Sequence, residues 1–170
     1  MFASKPSGCI GCPAEKWGLG FVEPEGPEDA PLFLVGQGPG EQEAWNGVPF
    51  YHLAPIGERM ERWLGRAGIS RRHILIGNIV QCWLPFKKSP SPQGNREPTL
   101  AEMKWCWNAH VGPKVNDLLE SSSLRVIVPV GIPATRFLHQ IPEGKGVEKY
   151  MGTLNEIQLP EIGENHGTHG

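Results

Sequence analysis

Apolar positions fall into two periods that alternate along the chain. Pro31-Leu32-Phe33-Leu34-Val35 is a continuous apolar run ending in Gly36-Gln37-Gly38-Pro39-Gly40, the pattern of a buried strand that enters a tight loop. From Pro55 to Ala67 the apolar residues Ile56, Met60, Trp63, Leu64 and Ala67 recur every three or four residues, and Gly68 follows as a stop. That spacing predicts an amphipathic helix. His73 to Val80 predicts a second strand, with Asn78 near its carboxyl end. Thr99-Leu100-Ala101-Glu102 is a capping box, so a helix is expected to start there and to carry Cys106, and Gly112-Pro113 is expected to kink or split it. Arg125 to Val130 predicts a third strand, Ile132 to Gln140 a short helix and Leu154 to Leu159 a fourth strand. Strands alternating with helices predict an α/β fold, a three-layer α/β/α sandwich with a parallel central sheet. Ligands of such sheets bind at the carboxyl ends of the strands, where Gln37 and Asn78 fall.

Two stretches do not fit either period. Met1 to Asp29 is rich in turn residues, with one short apolar patch from Leu19 to Val22, and needs an external tie; after Cys82 a proline-, lysine- and serine-rich loop runs to Pro98. The 22 glycines and 17 prolines in 170 residues agree with a loop-rich protein, and the length predicts one domain over residues 1–170. No apolar run approaches the roughly 20 residues of a membrane-spanning helix, and the first 20 residues lack the order of a signal peptide, so no membrane association and a cytoplasmic location are expected. A net charge of -2 provides no global attraction for phosphate, which restricts any nucleic-acid contact to a local surface.

The candidate chemistry lies in four cysteines and two loops. Cys9 and Cys12 form a C-x-x-C, whereas Cys82 and Cys106 stand alone. By spacing they could be small buried residues, a zinc staple or the four thiolate ligands of a 4Fe-4S cluster. The glycine loop at residues 36–40 lacks the lysine and hydroxyl residue of a P-loop and the spacing of a dinucleotide fingerprint, but it could bring backbone amides close to a flat ligand. Phe50 could pack in the core or stack on a base, and Asn78 could cap a strand or match the N3-H and O4 edge of a pyrimidine.

As a set these residues resemble the family-four, iron-sulfur uracil-DNA glycosylases of the uracil-DNA glycosylase superfamily. The matching stretches are Cys9-x-x-Cys12-Pro13, Val35-Gly36-Gln37-Gly38-Pro39-Gly40-Glu41-x-Glu43, Gly47-Val48-Pro49-Phe50, Gly77-Asn78-Ile79-Val80-Gln81-Cys82, Asn95-Arg96-Glu97-Pro98-Thr99 with Glu102 and Cys106, and Val126-Ile127-Val128-Pro129-Val130-Gly131. The resemblance implies hydrolysis of the N-glycosidic bond of uracil flipped out of single- or double-stranded DNA. It implies Phe50 stacked on the base, Asn78 reading its polar edge, and Gln37 with Gly36 and Gly38 lining the pocket and positioning water. It also implies a structural 4Fe-4S cluster on Cys9, Cys12, Cys82 and Cys106, with residues 1–29 as an irregular cluster-binding segment.

The sequence departs from the family pattern in three places. Glutamine stands at position 37, where the family usually has glutamate, and the Cys82–Cys106 interval is longer, with a basic surplus around Lys87 to Gly94. The His-Pro-Ser loop that normally follows the last strand is not found before Gly170; His166 and His169, in a glycine-rich tail, read as a solvated terminus. Three alternatives therefore stand beside uracil excision: a glycosylase for another modified base, a catalytically impaired DNA-binding relative, and a subunit of a larger assembly in which a partner protein supplies the loop. His52, His73, His110 and His139 read as surface or packing residues.

Overall fold

The computed structural model describes residues 1–86 and 94–163; the expectations for the Lys87–Gly94 surplus, apart from Gly94, and for His166 and His169 lie outside the described residues. The elements in chain order are β1 (Leu32–Gly36), α1 (Glu41–Asn46), α2 (Pro55–Ala67), β2 (Leu75–Asn78), α3 (Leu100–Cys106), α4 (Gly112–Glu120), β3 (Val126–Pro129) and α5 (Ile132–Leu138). The strands form a parallel sheet in the order β2-β1-β3, with Gly36 paired to Asn78 and Phe33 to Ile127. This is the expected α/β fold.

Alternation along β1 divides the core. Phe33 and Val35 face a cluster containing Met103, Cys106, Trp107, Val115, Leu118, Phe137 and Leu138 from α3, α4, α5 and the turn between α3 and α4. Leu34 faces the other way and packs with Ile76 from β2 and Met60 and Leu64 from α2. Helices therefore lie on both faces, as a parallel sheet requires. The two edges differ. The amino-terminal segment runs antiparallel along β2 and its exit, through mutual amide–carbonyl bonds of Glu25 with Ile76 and of Leu19 with Trp83. The β3 edge leaves Val126 and Val128 exposed.

One expectation fails, one is refined and one element is new. Leu154 to Leu159 forms no strand; it is an irregular segment that packs Ile157 and Leu159 onto the core from outside the sheet. Gly112-Pro113 does divide the helix into α3 and α4, but the break takes the form of a π-turn rather than a simple stop. The chain widens into a π-turn over Trp107–Val111, closed by the Gly112 amide on the Trp107 carbonyl, and α4 starts there with Pro113 in its first turn, where the missing N–H costs least. The six-residue α1 was not anticipated: Glu43 reaches back to the Gly40 amide at 2.7 Å, and Gly47 closes it in the left-handed region at φ 66°. No helix among the described residues is long and apolar enough to cross a membrane.

Candidate functional site

The strand ends and the loops after them create two neighbouring centres. The first lies where β1 and β2 end side by side. Gly36 is there because nothing larger fits: a methyl group on it would run into Asn78 Oδ1 and come within 2.8 Å of Phe50 Cζ. Gly36, Phe50 and Asn78 are thus brought together. Gln37 follows on the bend after β1, where its carbonyl accepts from the Val80 amide at 3.0 Å and the Gly36 carbonyl accepts from Ile79 at 2.9 Å. Gly38 lies farther along, and a methyl group on it would meet Val80 at 3.7 Å.

Phe50 is buried and sits at φ 48°, a left-handed conformation that costs a bulky residue of order 1–3 kcal/mol and persists only where its surroundings enforce it. Both of its peptide groups are held. Its amide donates to Glu43 Oε1 at 2.6 Å, and its carbonyl accepts from Arg71 Nη1 at 3.2 Å. Arg71 also donates to the Pro49 carbonyl and pairs with Glu25 at 3.0 Å and Glu61 at 3.3 Å. Glu43 and Arg71 are candidate site residues that sequence reasoning passed over as such; an acid three residues past Gly40, placed to cap a helix, was the available signal for Glu43, while nothing local marked Arg71. Burial raises the Glu43 carboxyl above the usual range, opposed by the amides of Gly40 and Phe50, the neighbouring Asn78 amide and the Arg71 charge.

Asn78 is 2% exposed; its side-chain amide lies beside the Glu43 carboxyl, but Nδ2 makes no well-formed hydrogen bond within the protein. A buried amide donor left alone costs about 1–3 kcal/mol, which a ligand carbonyl in reach would recover. Gln81 Nε2 is in the same condition three residues later.

The second centre begins at Cys82. Cys9, Cys12, Cys82 and Cys106 line one small cavity together with Lys5, Phe21, Trp105, Glu102 and His110. Gly18 makes room for Cys82, whose Sγ would collide with any Cβ there. Burial pushes the Cys82 thiol up to about 12 and Cys106 well above its ordinary value; Cys9 and Cys12 are raised chiefly by burial too. Such a set stays protonated unless a cation binds, and thiolates bound to metal are deprotonated as the metal enters. Two sulfurs already receive backbone amides, Cys12 from Ala14 at 3.4 Å and Cys106 from Gln81 at 3.3 Å. Among the described residues no three His, Cys, Asp or Glu side chains are grouped to hold a single metal ion. A tetrahedral zinc site needs four ligands about 2.0–2.3 Å from one point, whereas a four-iron cluster takes one thiolate on each of its irons, so its ligands stand around a larger volume. Four cysteines lining one cavity are a soft donor set that fits a thiolate-held group such as a 4Fe-4S cluster.

Comparison with known proteins follows the same lines. A family model described as the uracil DNA glycosylase superfamily matches residues 23–164. A type-4 uracil-DNA glycosylase of Archaeoglobus fulgidus is 29% identical over 152 residues, 88% of this chain and 69% of that protein. One of Pyrobaculum aerophilum is 32% identical over 159 residues, 89% and 73% of the two chains, and one of Thermotoga maritima 35% over 85 residues, 50% and 43%.

Proposed function

The chain belongs to the uracil-DNA glycosylase superfamily, and from that premise we propose that it hydrolyses the N-glycosidic bond of uracil extruded from DNA. The observation that carries the reading is the buried Nδ2 of Asn78, which makes no well-formed hydrogen bond within the protein, beside Gly36, Phe50 and the Glu43 carboxyl. Uracil has a carbonyl, O4, next to an N3-H donor, and an Asn amide supplies the complementary donor and acceptor. Phe50 offers a ring for the base to stack on, worth about 1–3 kcal/mol, and the Glu43 and Arg71 clamp fixes that ring before the base arrives. Extrusion costs a few kcal/mol of unstacking, least for a mispaired base.

Bond breaking builds cationic character on the sugar and negative charge on the departing uracil. Asn78 Nδ2, donating to O4, and the backbone amides of the Gly36–Gly38 loop stabilise that charge. Gln37, at the mouth of the loop, orients the attacking water through its side-chain amide. Glutamine does this without taking a proton, so the water is activated mainly by the developing sugar cation. Cys9, Cys12, Cys82 and Cys106 hold a 4Fe-4S cluster. When bound it supplies cross-linking, tying the amino-terminal segment to the Cys82 loop and to α3. DNA is the partner, and a cytoplasmic or nuclear location goes with it.

The test is incubation of the purified chain with uracil-containing oligonucleotides, single- and double-stranded, followed by alkaline strand scission. Scission at uracil, faster on the single strand where no duplex must open, supports the reading. Binding without scission on either substrate overturns it in favour of a binding role. Iron and acid-labile sulfide, expected at about four each per chain, test the cluster separately.

A further inference from the structure

His110 stands among the four cysteines although neither its spacing to them nor its exposure marks it as a ligand. It follows Cys106 by four residues, one turn along the same face of the helix. The turn between them is the π-turn Trp107–Val111. Pro113, which brings no N–H and whose ring collides with the carbonyl four residues back in an unbroken α-helix, makes that widening favourable. Such single π-turns are frequent at functional sites.

The surroundings hold the ring from several sides. Phe21 meets it edge-on with centroids 5.0 Å apart. Gly8 lies beneath it, where a Cβ would come within 2.8 Å of His110 Cε1, and Trp105 on the preceding turn donates to the Gly8 carbonyl at 3.0 Å. In that pose Nε2 is 3.4 Å from Cys9 Sγ, within range for a donor to sulfur.

Resting on the reading that the four cysteines hold a cluster, we propose that His110 is a positioning residue for it, donating its Nε2–H to the Cys9 thiolate. Cys12 and Cys106 receive their amides from the backbone, so their donors survive any side-chain change. The donor to Cys9 is a side chain and can be removed. Hydrogen bonds to ligand sulfurs are one of the quantities that set a cluster's potential, and outer partners of metal ligands are typically worth about 10- to 100-fold in retention. A donor to a thiolate draws charge from it and favours the reduced cluster, so its loss lowers the potential.

The experiment compares the full chain with His110→Gln and His110→Phe, all purified without oxygen. Iron per chain, the rate at which the visible absorbance bleaches under a chelator, and the midpoint potential are measured. His110→Gln, which presents a donor at similar reach, is expected to stay close to the parent. His110→Phe, which fills the volume without a donor, is expected to bleach roughly 10- to 100-fold faster and to show a lower potential. His110→Leu replaces it in the comparison if circular dichroism shows the phenylalanine variant unfolded. Iron-loaded parent and donorless variant with equal bleaching and potential overturn the inference alone. Equal loss in the glutamine and donorless variants also overturns it, since ring packing rather than donation then explains the effect. A parent without iron removes the cluster reading and this inference with it.

Discussion

Arg71 is where magnitudes separate a structural ornament from a working part. Its guanidinium makes four interactions, two to backbone carbonyls at Pro49 and Phe50 and two to carboxylates at Glu25 and Glu61. The carboxylates are half-exposed, at 53% and 41%, so each pair contributes about 0–1 kcal/mol. The carbonyls have fewer alternatives, because they belong to the chain that holds Phe50 at φ 48°, and hydrogen bonds from a charged donor contribute about 1.5–3 kcal/mol each. Arg71→Met is therefore expected to lower the unfolding free energy by about 3 kcal/mol, and Glu25→Gln and Glu61→Gln by under about 1 kcal/mol each. Arg71→Lys, with a charge but no fork, should lie between. In single-turnover excision of uracil below the melting range, Arg71→Met should also lose about 10- to 100-fold, as a freed Phe50 gives up the 1–3 kcal/mol of base stacking. Urea denaturation and kinetics on the same samples check both. An Arg71→Met variant no less stable than the two glutamine variants, or one fully active while folded, refutes the clamp.

Gly36→Ala should reduce uracil excision sharply and cost about 1–3 kcal/mol of stability, because its methyl displaces Asn78 and Phe50; activity unchanged in strand-scission assays would show that these side chains do not form the pocket. Asn78→Asp should abolish excision of uracil, since the O4 donor is lost and a second carboxyl is set beside Glu43, and kinetics on uracil against a cytosine-like base check it. Arg96→Met should cost about 3–5 kcal/mol by leaving Glu102, 4% exposed, without its forked partner, as measured by urea denaturation. Burial works to raise the Glu102 carboxyl, but Arg96 and Thr99 outweigh it and hold the carboxyl below its ordinary value of 4.5; that stability is present above about pH 4.5 and is lost as pH falls through the folded value, so urea midpoints should drop on acidification less in the methionine variant than in the parent.

Local signals in the sequence are strong enough to place α2 from Pro55 to Ala67 and to start α3 at the Thr99 cap, where Thr99 Oγ1 accepts from the Glu102 amide and Glu102 answers to Thr99. They also place β1 and β3 within a residue or so. What the sequence hides is long-range. Val80 prolongs an apolar run, yet its amide has already left the ladder for the Gln37 carbonyl, so β2 ends at Asn78. Leu154 to Leu159 alternates like a strand, but Ile157 and Leu159 find their apolar surface outside the sheet. Arg71 acts on residues 21 and 22 positions earlier, and His110 on a cysteine 101 positions away, distances across which no periodicity reports.

The two centres share one stretch of chain. Asn78 ends β2, Ile79 and Val80 bond back to the β1 loop, the Gln81 amide meets Cys106 Sγ, and Cys82 enters the cysteine cavity. The Gln81 carbonyl and both peptide groups of Trp83 bind the amino-terminal segment that carries Cys9 and Cys12. A five-residue stretch with one end beside Gly36 and Phe50 and the other among the cysteines cannot readily shift at one end and stay fixed at the other. Asn78 Nδ2 makes no well-formed hydrogen bond and has the Glu43 carboxyl as a polar neighbour, so its aim depends largely on the backbone that carries it. Cross-linking of the four cysteines by the proposed cluster would therefore do more than tie down an irregular amino terminus: it would fix the segment from which Asn78 projects. On the proposed function, a structural cluster would in this way be a precondition of base recognition, although neither its irons nor its sulfurs need touch the base.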